Sequence, residues 1–181
     1  YYLGLIADRR GRTREAIAQY EEALKGDPNY AEACHRLGLA RATEGKLDQA
    51  IAYFQKAVRL KPMLIQARCN LGVALEQQGK LSQAMEQYRE ALRLKPNDGP
   101  SHMFLAILLL RSGKLEEATA HFRDAVRITP GDAEARYGLG CALAGQGKIR
   151  EAAEELREAL RLRPNYAEAA NQLQSLERKK P

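Results

Sequence analysis

Apolar residues along the chain recur at intervals of three and four, as in Leu37 and Ala40, then Ala50, Phe54, Ala57 and Leu60. That spacing is one face of an α-helix. Such stretches come in pairs, and the pairs repeat. Pro28, Pro62, Pro96, Pro130 and Pro164 stand 34 residues apart, as do Gly11, Gly45, Gly79, Gly113 and Gly147. Two alanine ladders keep the interval, from Ala16 to Ala152 and from Ala23 to Ala159. A leucine ladder from Leu3 to Leu173 carries it into a sixth unit. A fixed period of this size marks stacked units, none of which can bury its apolar face alone. The glycine falls between the two helical patterns of each unit, where a tight turn is needed. The proline lies just past the second helix, which it cannot continue. Asn29, Asn97, Asp98, Asp132 and Asn165 follow the prolines and predict side-chain caps for the next helix. Met63 and Leu64 predict a poorly capped start after Pro62.

Small residues hold one place in the first helix of each unit, at Gly4, Gly38, Gly72, Ala106 and Gly140. They predict close approach of the two backbones. Tyr20, Phe54, Tyr88, Phe122 and Leu156 are expected to fill the wider part of the seam.

These ladders, with Leu-Gly pairs at Leu37-Gly38, Leu71-Gly72 and Leu139-Gly140, resemble the 34-residue helix–turn–helix tetratricopeptide repeat. Cys34, Arg68, His102 and Arg136 stand where that family often has tryptophan, and Ala106 replaces one glycine. The register places complete repeats at 31–64, 65–98, 99–132 and 133–166. Residues 1–30 form a shortened first repeat, and 167–181 a capping helix and tail. A start at Tyr1, inside a helix, predicts a piece of a longer protein, and Gln174 and Glu177 predict a solvating end to the array. The period alone gives an all-α solenoid of stacked antiparallel helix pairs. A right-handed superhelix, with the first helix of each pair lining a concave groove, is what the resemblance implies.

Carried over from the resemblance, the groove residues are Leu5 in repeat one, His35, Arg36 and Leu39 in repeat two, and Cys69, Asn70 and Val73 in repeat three. Repeat four supplies Met103, Phe104, Ile107 and Leu110, and repeat five Tyr137 and Cys141. Met103 to Leu110 is apolar at every position, and a helix apolar all round demands cover on all sides. Its neighbours in an array cover only part of it. The patch therefore predicts an apolar anchor for a protein or peptide, with self-association or cover by another part of the protein as the competing use. Two ligand modes of the family fail here. The positions of its carboxylate clamp hold His35, Leu39, Asn70, Pro100 and Phe104, of which only Asn70 agrees. The asparagine ladder of O-linked N-acetylglucosamine transferase would fall on Tyr2, Arg36, Asn70, Phe104 and Gly138, again one match. Asn70 is left either solvated or holding a peptide amide.

Composition changes this picture little. The net charge is +6, which raises nucleic acid as a partner. The expected groove acids (Asp8, Glu32, Glu76, Glu134, Glu168) balance its bases (Arg9, Arg36, Arg111, Arg178, Lys179), so no nucleic acid is expected. Glu116-Glu117 and Glu154-Glu155 read as solubilising pairs on outer helices, and Glu21–Lys25 as a helix-surface pair. Three scattered cysteines argue against a disulfide framework. His35 and Cys69 share equivalent positions of adjacent repeats, but helix axes 8–10 Å apart keep such side chains from sharing an ion. No metal, cofactor or catalytic set is expected. No apolar stretch is long enough to span a bilayer and no leader is evident, which favours the cytoplasm. The expected function is a protein-binding scaffold or adaptor. An accessory array of a larger enzyme, such as a glycosyltransferase, and a self-association module are the alternatives.

Overall fold

The structure, a computed structural model, describes residues 1–178. Over these residues the fold is all-α: α1 (Tyr2–Arg9), α2 (Thr13–Gly26), α3 (Ala31–Thr43), α4 (Leu47–Leu60), α5 (Ile65–Gln77), α6 (Leu81–Leu94), α7 (Gly99–Arg111), α8 (Leu115–Ile128), α9 (Ala133–Gly145), α10 (Ile149–Leu162) and α11 (Ala167–Arg178). The chain divides into two compact units, Tyr1–Leu94 and a second beginning at Lys95. In the first, α1 pairs with α2, α3 with α4 and α5 with α6; α2 packs on α3, α4 on α5, and α3 on α5. In the second, α7 pairs with α8 and α9 with α10; α8 packs on α9, α10 on α11, and α9 touches both α7 and α11. Both units thus bring first helices of successive pairs side by side.

The periodic glycine ends each first helix. Gly11, Gly45, Gly79, Gly113 and Gly147 have φ between 70° and 76°, left-handed backbone that a Cβ disfavours. Each closes a Schellman turn. In the first, Gly11 N–H donates to Asp8 O at 2.9 Å and Arg12 N–H to Ala7 O at 2.9 Å; in the fourth, Gly113 donates to Leu110 O at 3.0 Å and Lys114 to Leu109 O at 2.9 Å. These turns satisfy carbonyls that the helix end leaves bare.

The seam is packed ring on glycine. A Cβ on Gly4 would stand 2.5 Å from the Tyr20 ring, one on Gly38 2.5 Å from Phe54, and one on Gly72 2.5 Å from Tyr88. The small residue therefore makes room for the large one directly, where the sequence suggested room for the opposite backbone. Gly140 also lies near backbone, its Cβ position being 3.2 Å from Ala152 O. Repeat four shows the rule by breaking it. Ala106 and Phe122 are both buried, and the Phe122 ring lies against Gly138, where an added Cβ would overlap it. Tyr2, Arg36, Asn70 and Phe104 hold the place of Gly138 in the other repeats. A methyl gained at Ala106 is thus matched by a side chain lost at Gly138.

Caps follow the sequence only in part. Asp98 accepts from Ser101 N–H at 3.2 Å and from its hydroxyl at 2.8 Å, and Asp132 accepts from the amides of Glu134 and Ala135 at 2.9 and 3.1 Å. Asn29 does not cap α3: the N-cap is Tyr30, one residue on, with no side-chain bond. Leu64 leaves α5 without a side-chain cap.

Candidate functional site

In the first unit, the expected groove residues are partly tied to one another. Asn70 Nδ2 lies 2.8 Å from His35 Nε2. An amide nitrogen only donates, so Nε2 accepts and the neutral ring carries its proton on Nδ1. Burial, helped by the Arg36 charge, pushes the His35 pKa down to about 4, which keeps that acceptor available at neutral pH. Asn70 is therefore half-buried, with one amide N–H engaged by its neighbour. The His35 ring also lies tilted against Phe54, with centroids 5.9 Å apart. Cys69 departs from expectation: it is buried and packs with Ile65 and Ala91, so it offers almost no surface. Leu5 packs on the core of Ala7, Ala16, Ile17 and Tyr20, while Arg36, Leu39 and Val73 are half-buried. Two expected inner acids are held by partners. Asp8 accepts from the Tyr20 hydroxyl at 2.6 Å, and Glu32 pairs with Lys61 at 2.5 Å, a bond that lowers its pKa. Glu21 reaches Arg41 at 2.8 Å, and Lys25 takes Glu22 instead.

The second unit holds the apolar patch. Along α7, Leu105, Ala106, Leu108 and Leu109 are at most 1% exposed, whereas Met103, Phe104, Ile107 and Leu110 are half-buried. On α9, Tyr137 and Cys141 are also half-buried. The Tyr137 hydroxyl bonds the Cys141 side chain, and burial with this bond pushes the phenol up to about 12. Its ring meets Tyr166 at 5.0 Å, and the Arg163 guanidinium lies 4.7 Å over Tyr166. Of the tail bases, Lys179 and Lys180 lie outside the described residues.

A second constellation went unread in the sequence. Arg68 and Arg136 reach the carbonyls of Pro62 and Pro130 (3.4 and 3.3 Å), and His102 Nε2 that of Pro96 (2.9 Å). Each also meets the residue 19 positions on: Arg68 with Gln87 at 3.4 Å, His102 with His121 at 2.9 Å, Arg136 with Glu155 at 2.8 Å. These struts tie the two helices of a repeat to the proline that precedes it. Glu155, expected to be solubilising, is part of one. The signal was present as a constant spacing of 19 from the position where the family often has tryptophan.

One profile described as tetratricopeptide repeat matches residues 1–63, 103–167 and 137–180, and a second of that description matches 65–98. The chain belongs to the tetratricopeptide repeat family. No curated protein sequence matches it. Among solved structures, this tetratricopeptide repeat chain is similar to MamA (25% identity, TM-score 0.80), over 91% of this chain and 96% of that one. It is also similar to YrrB, described as a TPR protein with an unusual peptide-binding site (24% identity, TM-score 0.77, 93% and 87% covered). A third is TTC0263, a thermophilic TPR protein in Thermus thermophilus (24%, TM-score 0.70, 97% and 96%). Family and fold make the tetratricopeptide repeat chain a protein-interaction scaffold. No helix among the described residues is long and apolar enough to cross a membrane.

Proposed function

We propose that the chain binds a protein or peptide through the first helices of its repeats, with Met103, Phe104, Ile107 and Leu110 as the apolar anchor. The observation that carries this reading is the split within α7. Its apolar run exceeds what the core uses, and four large side chains keep part of their surface in water. Tyr137 flanks them on α9, which packs against α7. Full burial of such side chains is worth about 1.5–3 kcal/mol each. All four keep at most about a third of their surface in water, so a ligand gains at most about a third of that, on the order of 2–4 kcal/mol, against an association cost of several. The anchor alone therefore gives weak binding, and polar and backbone contacts along the first helices supply the rest of the affinity. Catalysis has no part in this reading.

Panning a displayed peptide library on the chain tests it. Enriched peptides should carry apolar residues spaced for a groove and should lose binding to Phe104→Glu. Peptides that bind the variant equally well would remove the anchor from the account. A second reading, self-association, draws on α1. Tyr2, Leu3 and Ile6 are 77%, 64% and 47% exposed, although Leu37, Leu71, Leu105 and Leu139, the periodic equivalents of Leu3, are buried. A light-scattering mass that rises with concentration would favour that reading.

A further inference from the structure

We propose that repeat four carries a binding site for a divalent transition metal of the zinc class, formed by His102, His121 and Asp124. This departs from the sequence expectation of no metal. His102 lies on α7, and His121 and Asp124 lie one turn apart on α8. One ligand atom from each falls within 4.8 Å of the other two. His102 is buried, while His121 and Asp124 are half-buried, so the cluster is open to solvent on one side.

The hydrogen bonding of His102 sets it up as a ligand. Its Nε2 lies 2.9 Å from Pro96 O. A carbonyl only accepts, so Nε2 carries the proton, and in the neutral ring Nδ1 carries a lone pair. A metal-binding histidine is oriented in this way, its far N–H held by a carbonyl or carboxylate. That lone pair faces His121 Nδ1 at 2.9 Å and Asp124 Oδ2 at 4.0 Å. Two ligands of a tetrahedral zinc, each at about 2.0–2.2 Å, stand about 3.3 Å apart. The His121 distance is about 0.4 Å short of that value and the Asp124 distance about 0.7 Å long, and no pair of the three exceeds 4.8 Å, so side-chain shifts on the order of an ångström seat an ion. Asp124 keeps Oδ2 for it, since Arg127 bonds to Oδ1 at 3.0 Å. On binding, His121 shifts its proton from Nδ1 to Nε2. Water completes the fourth position.

The sister repeats separate this from a plain structural strut. At the same two places Arg68 faces Gln87 and Arg136 faces Glu155, a donor against an acceptor in each case. Only in repeat four, among these three, are both members metal-ligating types, with a carboxylate beside them.

Zinc chloride titrated into the chain at neutral pH, followed by calorimetry, tests the proposal, with cobalt(II) absorption reporting tetrahedral coordination. The expected result is one ion per chain, at least tenfold weaker binding in His121→Gln and in Asp124→Asn, and a zinc-induced rise in melting temperature confined to the parent chain. The double variant His102→Arg, His121→Glu installs the Arg136–Glu155 pair, keeps the helix pair tied and should bind no zinc while its circular dichroism is unchanged. Absence of zinc binding by the parent chain overturns the proposal. So does zinc binding of equal strength in the variants, which would place the ion elsewhere, for instance on the thiols of Cys34, Cys69 or Cys141.

Discussion

At the scale of single residues, two kinds of side chain do the specifying: glycines that admit a ring, and polar groups that hold one another. Gly72→Ala puts a Cβ about where the Tyr88 ring already lies, 2.5 Å from its nearest carbon. Tyr88 is fully buried and has nowhere to go, so this one methyl should cost roughly 1–3 kcal/mol in urea denaturation. In repeat four the strain is transferred: Gly138→Ala should cost as much, and Ala106→Gly considerably less. His35 gives a pH signature. Its pKa is about 4 folded against 6.5 unfolded. Between these values the unfolded chain binds the proton and the folded chain does not, so acidification from pH 6.5 towards 4 should remove stability. The loss is about 1–3 kcal/mol, reduced from the full linkage value because the ring is half-buried. His35→Gln should flatten the urea midpoint over that window relative to the parent, with the carboxylates common to both cancelling in the difference.

At the scale of the helix and its repeat, the turn and the strut carry the argument. Gly79 sits at φ 75°, and Gly79→Val should cost about 1–2 kcal/mol from backbone alone, since nothing lies near its Cβ position. Ala84, fully buried, should respond to Ala84→Leu with a loss of roughly 1–3 kcal/mol by overpacking; thermal melts measure both. The helices and turns were legible because each rests on a local rule repeated in register: the helical apolar spacing, and the glycine that closes a Schellman turn. Asn29 was misread because capping depends on where the first helical residue falls, and α3 starts one residue later than an Asn29 cap would require. The Arg68, His102 and Arg136 struts were hidden because their partners are 19 residues away on another helix. Cys69 looked like a surface residue because the resemblance assigns a face, and only the packing of Ile65 and Ala91 shows how deep that face runs.

At the scale of the molecule, charge and exposed apolar surface decide what the chain can meet. The net charge is +6, and some of its bases are paired on the surface, Arg123 with Glu151 at 3.1 Å and Arg157 with Glu177 at 2.8 Å. Exposed pairs like these contribute little stability. Apolar surface remains on α7 and on α1, and the two give different outcomes. The most direct measurement is a methyl NMR spectrum of the chain, recorded with and without a peptide selected on it. Binding should move the methyl resonances of Met103, Ile107 and Leu110 and leave those of Leu3 and Ile6 in place. Shifts confined to Leu3 and Ile6, with the α7 methyls unmoved, would contradict an anchor on repeat four.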